Sequence, residues 1–481
     1  MNTPIINTPE RHRSHFRYCI FLLVLGSLVY GNHLQNPFQF DTVAYITNQH
    51  RLDNIEKQLS IEFFKKQFSQ RGLLQISVAL NAHLDGFRPL GYHLVNLILH
   101  LTNSLLLYFI TCRAWDYFRL HRYHPQECEI RSISLFTAML FLLHPIQTES
   151  VVYIMSRSEV FAATFYLSAF LLFQVCLDRG SPLKSGFKAF AFFIIPIAFI
   201  LGFSVKQTVI TLPMMLLLYL ICGQSSDSFL IQTINKWKWV IGFIFLIALS
   251  FLFQKLLTDE SFLIGPSTAG QDIGRLNYML TQPPVILFYY FKLFLFPINL
   301  NVDPDIQMIT QWWSWRFWSG LMAIAGSIYF SFRDKETRFL FFLVLWFLIV
   351  LSPSSSIITL SDLAAEHRTY LASYAYCAIL AILIYKISQL VFPEHSKKRW
   401  FLLLNISVFI SVIFCLLTIQ RNKIWTSEVS LWSDTLKKSP KKIRPMINLA
   451  RAHTTVGTFD LAVHYYEKVM AVKPNIFATN F

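Results

Sequence analysis

Asp41 is the residue best placed to act as a base, closing the string Asn36-Pro-Phe-Gln-Phe-Asp41 a few residues past the first apolar run. A carboxylate flanked by Phe38 and Phe40 sits where aromatic side chains hold backbone at a membrane interface, within reach of lipid-borne substrate. A second use is open, since Asp41 also suits the cap of a short helix beginning near Val43. Glu149, Arg157 and Glu159 lie in a short connection, His144-Pro-Ile-Gln-Thr-Glu149 to Glu159, between two apolar runs. Ionisable groups at membrane depth are costly and are paired or functional. Their spacing does not line one helix face, so a structural pair of Arg157 with either glutamate is the other reading. Lys206 stands alone between two more runs, free to hold a phosphate or to snorkel to headgroups. Glu366-His367-Arg368-Thr-Tyr370 puts three ionisable groups in a row at the start of another run. They suit an anionic partner or, alternatively, an interfacial Arg and Tyr anchor. If these connections meet, they frame a cavity with carboxylates for proton transfer and cations for a phosphate.

The elements that must position these residues are membrane helices. The composition is 54% hydrophobic and 16% aromatic, with 46 Phe and only 14% charged residues, where soluble domains carry about a quarter charged. Eleven apolar runs reach or approach the length of a crossing: residues 18–29, 94–112, 132–143, 160–177, 189–203, 209–222, 239–257, 317–332, 339–351, 370–391 and 400–419. A twelfth stretch, 284–300, is interrupted by Lys292 and Pro297 and reads as a re-entrant or interfacial helix. The net charge of +15 does not indicate nucleic acid, because the basic residues sort by loop and not onto a readout motif. Connections carrying Arg13 and Arg17, Arg119 and Arg131, Lys184 and Lys188, Arg333 and Arg338, or Lys397 to Arg399 fall inside. Those carrying only Arg157, Lys206 or Arg368 fall outside, which puts the N-terminus in the cytoplasm and the C-terminus outside. The first outer segment, from Arg51 to Phe68, alternates charge with apolar residues and suggests amphipathic helices on the outer leaflet. The seven cysteines lie in runs or inside connections, so no exported disulfide framework is implied.

The tail is of another kind. Pro440 and Pro474 are separated by 34 residues, as are Trp432 and Tyr466, which is the tetratricopeptide period. About one and a half repeats are present, too few for a free solenoid, so they are expected to pack on the outer loops or on a partner.

Taken in order, six strings resemble the GT-C membrane glycosyltransferases, specifically bacterial relatives of the transmembrane and tetratricopeptide-repeat-containing protein O-mannosyltransferases. They are Asn36-Pro-Phe-Gln-Phe-Asp41, Arg88-Pro-Leu-Gly-Tyr-His93-Leu-Val-Asn96, His144-Pro-Ile-Gln-Thr-Glu149, Lys206-Gln-Thr-Val-Ile-Thr-Leu-Pro213, Phe294-Leu-Phe-Pro-Ile-Asn-Leu-Asn301 and Glu366-His-Arg-Thr-Tyr-Leu371. The resemblance implies transfer of mannose or another hexose from a polyprenyl-phosphate donor to an acceptor hydroxyl, Ser or Thr of an exported protein recruited by the repeats. It implies Asp41 as general base and Glu149 as its support. Arg88, His93, Arg157, Glu159, Lys206, Glu366, His367, Arg368 and Tyr370 become substrate-binding candidates, with Lys206, His367 and Arg368 neutralising the departing phosphate. Two positions depart from the pattern: Thr42 stands where a second acidic residue is usual, and Gln207 follows the lysine where Glu is common. Both weaken the case for a bound divalent metal, and no tightly bound cofactor is expected. A non-catalytic scaffold for envelope assembly is the alternative.

The expected architecture is thus all-α: a cytoplasmic tail at 1–17, a GT-C-like membrane domain of about 11 transmembrane helices at 18–419 with its catalytic outer loop at 34–93, and a tetratricopeptide segment at 420–481. The expected partners are the lipid-linked sugar, the acceptor protein and membrane lipids, with no nucleic acid. The absence of Asn-x-Ser/Thr in the outer loops and tail favours a bacterial inner membrane, with the tail in the periplasm.

Overall fold

The computed structural model describes residues 9–40, 42–43, 71–118, 127–177, 185–223, 273–333, 338–356, 358–393 and 396–474. The run at 239–257 and the amphipathic segment at 51–68 lie outside the described residues. Among those described, all regular structure is helical. Helices α1 (Pro9–Tyr30), α2 (Gly72–Asp85), α3 (Pro89–Tyr117), α4 (Glu127–Leu143), α5 (Thr148–Val152) and α6 (Arg157–Leu177) come first. They are followed by α7 (Ser185–Val205), α8 (Leu212–Cys222), α9 (Arg275–Pro284) and α10 (Lys292–Leu295). Next come α11 (Trp315–Phe332), α12 (Arg338–Leu351), α13 (Ser373–Val391) and α14 (Ser396–Ile424). Finally α15 (Glu428–Lys438), α16 (Ile443–Thr455) and α17 (Phe459–Val472) build the tail.

Five helices among the described residues are long and apolar enough to cross a membrane, or six if the bent pair Glu127–Leu143 and Pro145–Val152 is one span. Three shorter apolar helices, Phe190–Val205, Gln207–Cys222 and Arg338–Leu351, fall below that length. The α3 helix is central and packs on α4 and α6. Its start is fixed by Pro89, whose missing N–H costs nothing at a first helical position. Asn96, His100, Asn103 and Thr111 fall at helical spacing and are buried. Asn96 donates to the Val151 carbonyl (3.2 Å) and Asn103 to that of Val160 (2.8 Å), so the polar stripe of α3 secures the polar connections that follow α4.

The stretch expected to be re-entrant is helical from Arg275 to Leu295, starting nine residues before the sequence suggested, and leaves the helix at Phe296. Pro283 and Pro284 remove two N–H donors in succession. The chain answers with a π-helical stretch, Val285–Phe291, directly after them. Helix α11 crosses here at backbone distance: a Cβ on Gly320 would lie 2.5 Å from the Pro283 carbonyl carbon. Trp312, Trp313, Trp315 and Trp318 are exposed at the start of α11, the composition of an interfacial aromatic belt.

In the tail, α15 packs on α16 and α16 on α17. The turn before α17 places Gly457 at φ +80°, where a side chain would be strained. His453 stacks on Tyr465 across that hairpin, with ring centroids 5.8 Å apart.

Candidate functional site

The connections assigned to the outside meet at one end of the bundle. His144 ends α4 by turning its own ring inward: Nδ1 accepts from the Ile146 N–H at 3.2 Å, and Nε2 lies 3.2 Å from the Phe294 carbonyl. The break bends the chain by 48° and lays α5 across the end of the bundle. Glu149, on α5, is buried; its Oε1 lies 2.6 Å from Nδ1 of His367 and its Oε2 accepts from the His367 backbone N–H at 3.3 Å. Glu366 is also buried, its Oε1 accepting from the Tyr289 hydroxyl (3.3 Å) and the Asn301 backbone N–H. The π turn serves this loop twice, because Tyr290 next door bonds both the carbonyl and the N–H of Ala365, each at 3.2 Å. Burial pushes the Glu366 carboxyl up to about 8; Arg421 opposes this and the neighbouring Glu149 adds to it.

Lys206 is ion-paired with Glu159 of α6, and burial lowers the pKa of its ammonium. Arg368 donates to the Asp362 carbonyl at 2.9 Å and interacts electrostatically with Glu159, Tyr278 and Tyr290. Glu149, Glu159, Lys206, Glu366, His367 and Arg368 therefore form one polar group drawn from three connections, two carboxylates paired with cationic or imidazole partners and a third whose pKa is raised by burial.

The other candidates sit elsewhere. Arg157 pairs with neither glutamate. Its Nε donates to Asn96 Oδ1 (2.8 Å), Nη1 to the Ser77 carbonyl (3.1 Å) and Nη2 to the Tyr92 carbonyl (3.0 Å), so the buried guanidinium joins α2, α3 and α6. Tyr370 is inside the bundle, its hydroxyl bonded to His100 Nδ1 (2.8 Å) and Asn103 (3.0 Å). Arg88 is exposed ahead of α3. His93 is buried, with Nε2 3.0 Å from the Asn36 carbonyl.

Asp41 lies outside the described residues, but the backbone leading to it is held firmly. Asn422 of α14 donates to the Val29 carbonyl (3.2 Å) and to Asn32 Oδ1 (2.9 Å), and Gln39 donates to the Trp425 carbonyl. The aromatics near Asp41 pack on protein: Phe38 is 5.2 Å from Tyr92, and Phe40 is 5.6 Å from Tyr153 and 5.3 Å from Trp432. Phe40 has φ +57°, unusual for a bulky residue, and its N–H donates to Glu428 at 3.3 Å.

Sequence reasoning missed the residues that dock the tail here. Buried Asp303 accepts from Lys442 and, in a bidentate pair, from Arg444 Nε (2.8 Å) and Nη2 (2.6 Å); Arg444 also reaches Asp362 at 2.8 Å. Burial alone would raise the Asp303 carboxyl, but Arg444 and Lys442 outweigh it and hold it below its ordinary value. Asn301, whose N–H serves Glu366, donates its side-chain amide to Ser439 at 2.8 Å. The tail thus packs on the connections assigned to the outside, and the loops bearing Glu366 and Arg368 are tied to it. Arg444→Met is expected to lower stability by about 2 kcal/mol, less than a fully buried pair because Lys442 remains. Thermal unfolding in detergent checks this, and a midpoint unchanged from wild type would show the clamp to be idle.

This arrangement defines a helical membrane-type protein with a group of buried carboxylates and partly exposed imidazole and cations at one end, tied to a helical tail. The chain is similar to the protein O-mannosyl-transferase F38B6.6 of Caenorhabditis elegans, 25% identical over 479 residues that cover 96% of this chain and 64% of the relative. It is also similar to the protein O-mannosyl-transferases TMTC1 (23% identical, 93% of this chain and 54% of the relative) and TMTC4 (24%, 83% and 57%) of Homo sapiens. It spans roughly half to two thirds of the length of these relatives. No family profile matches the chain, and no solved structure matches it.

Proposed function

We propose that this chain is a membrane glycosyltransferase that moves mannose or another hexose from a polyprenyl-phosphate donor to a Ser or Thr hydroxyl of an exported protein. The observation that carries the reading is the meeting of Glu149, His367, Glu366, Lys206 and Arg368 at the end of the bundle where the segment leading to Asp41 is anchored. The names of its relatives supply the reaction class. In this reading the acceptor oxygen attacks the anomeric carbon, Asp41 takes its proton, and the bond from carbon to phosphate oxygen breaks. Glu149 holds His367 facing the leaving group, and His367, Arg368 and Lys206 stabilise negative charge growing on the departing lipid phosphate. The membrane domain has about eleven crossings in a bacterial inner membrane, with the N-terminus cytoplasmic. The tetratricopeptide-type tail is periplasmic and presents acceptor to the site.

The test is sugar transfer by purified protein in proteoliposomes, supplied with polyprenyl-phosphate sugars and a panel of exported peptides. Labelled peptide from at least one donor is the expected result. No transfer from any donor, with the unfolding midpoint intact, would replace this reading with the membrane-anchored scaffold.

A further inference from the structure

A narrow cleft opens beside the first outer segment, walled by Gln39, Thr42, His93, Tyr153 and Trp425. Four of these residues are more than nine-tenths buried and carry a polar atom without a hydrogen-bond partner: Gln39 Oε1, Thr42 Oγ1, His93 Nδ1 and Trp425 Nε1. A buried polar group left unpaired costs free energy, and native proteins retain few of them. Four of them gather around this one cleft.

Their chemistry selects the ligand. The indole N–H of Trp425 only donates, and Gln39 Oε1 only accepts. His93 Nε2 faces the Asn36 carbonyl at 3.0 Å, so it carries the proton and Nδ1 of the neutral ring accepts. Thr42 does either. A partner must therefore both donate and accept, which a hydroxyl does. A phosphate or carboxylate would meet two acceptors with nothing to offer them, and an ammonium could not accept from Trp425. Among the described residues, no charged side chain lines the cleft. Tyr153 and Trp425, stacked with ring centroids 5.9 Å apart, give it an apolar flank suited to the carbon bearing the hydroxyl.

We propose that this cleft binds a neutral hydroxyl of a substrate, with Thr42 supplying one of the hydrogen bonds. On this view Thr42, at the position where a second acidic residue is usual, offers a neutral hydrogen-bond partner in place of a carboxylate. The proposal rests on the transferase reading only for what bears the hydroxyl: the sugar being transferred or the Ser/Thr side chain that accepts it.

Binding to the full chain in detergent separates these. Methyl α-D-mannopyranoside and a Thr-containing peptide are each titrated against wild type, Thr42→Val and Thr42→Ser. Thr42→Val keeps the shape and removes the hydroxyl, so the ligand-free midpoint is expected to rise by about 1–2 °C. Affinity for one probe is expected to fall by about 5- to 10-fold, and Thr42→Ser to restore it. Loss confined to the mannoside places the transferred sugar in the cleft, and loss confined to the peptide places the acceptor there. Unchanged affinity for both probes in Thr42→Val, or no binding of either to wild type, would overturn the proposal and leave the cleft to water. Should Thr42→Val fail to fold, Thr42→Ala, which also removes the hydroxyl, is read the same way. Binding that survives in a protein with no transfer activity would sink the transferase reading and not the cleft.

Discussion

Asp41→Asn is expected to lower the rate of sugar transfer by about 10²- to 10⁴-fold, the usual contribution of a positioned general base. The amide matches the carboxylate in size but cannot take the acceptor's proton. The fold should be indifferent to the exchange, because the segment before it is fixed by other groups: Gln39 to the Trp425 carbonyl, the Phe40 N–H to Glu428, and the Phe40 ring between Tyr153 and Trp432. Donor affinity should also be kept, since no cation is removed. Single-turnover transfer in proteoliposomes at saturating donor is the measurement, with Asp41→Glu as a partial rescue. Equal rates in wild type and Asp41→Asn would take the base away from Asp41 and turn attention to Glu149 or Glu366.

Much of this site was legible because the charged residues are few and the apolar runs between them long. Hydropathy located the apolar helices among the described residues, and the isolated polar strings between them named Glu149, Lys206 and Glu366 to Arg368. What hydropathy does not encode is pairing across hundreds of residues, such as His367 with Glu149 or Asn422 with Val29. Arg157 and Glu159 illustrate the limit. They fall two positions apart at the start of α6, so they point to different sides of the helix; Arg157 turns to α3 and Glu159 to Lys206. Crossings were harder to count than to find. Runs such as 209–222 and 339–351 give helices short of a full span among the described residues. The tail's docking was expected in outline only. Asp303 and Arg444 are ordinary charged residues by composition, and their importance comes from a loop and a helix 141 positions apart.

The pH dependence of stability should expose Glu366. Its carboxyl is raised from 4.5 to about 8 by burial, with Glu149 reinforcing and Arg421 opposing. Between those values the folded chain keeps a proton that the unfolded chain releases, so this group's contribution is fully present below pH 4.5 and is lost as pH climbs towards 8. The loss is on the order of 5 kcal/mol for a shift of this size. Glu366→Gln cannot ionise, yet its amide oxygen can still accept from Tyr289 and from the Asn301 N–H. The variant's unfolding midpoint should therefore be flatter from pH 5 to 8 than that of wild type and higher above pH 8. Parallel profiles for the two proteins would mean that Glu366 is ionised at neutral pH, its charge matched by Arg421 and Lys438. The loop would then hold a carboxylate beside Glu149, and His367 would face two negative charges. In that case the cationic side of the site would have to do more than balance a departing phosphate: it would first have to hold the empty site together.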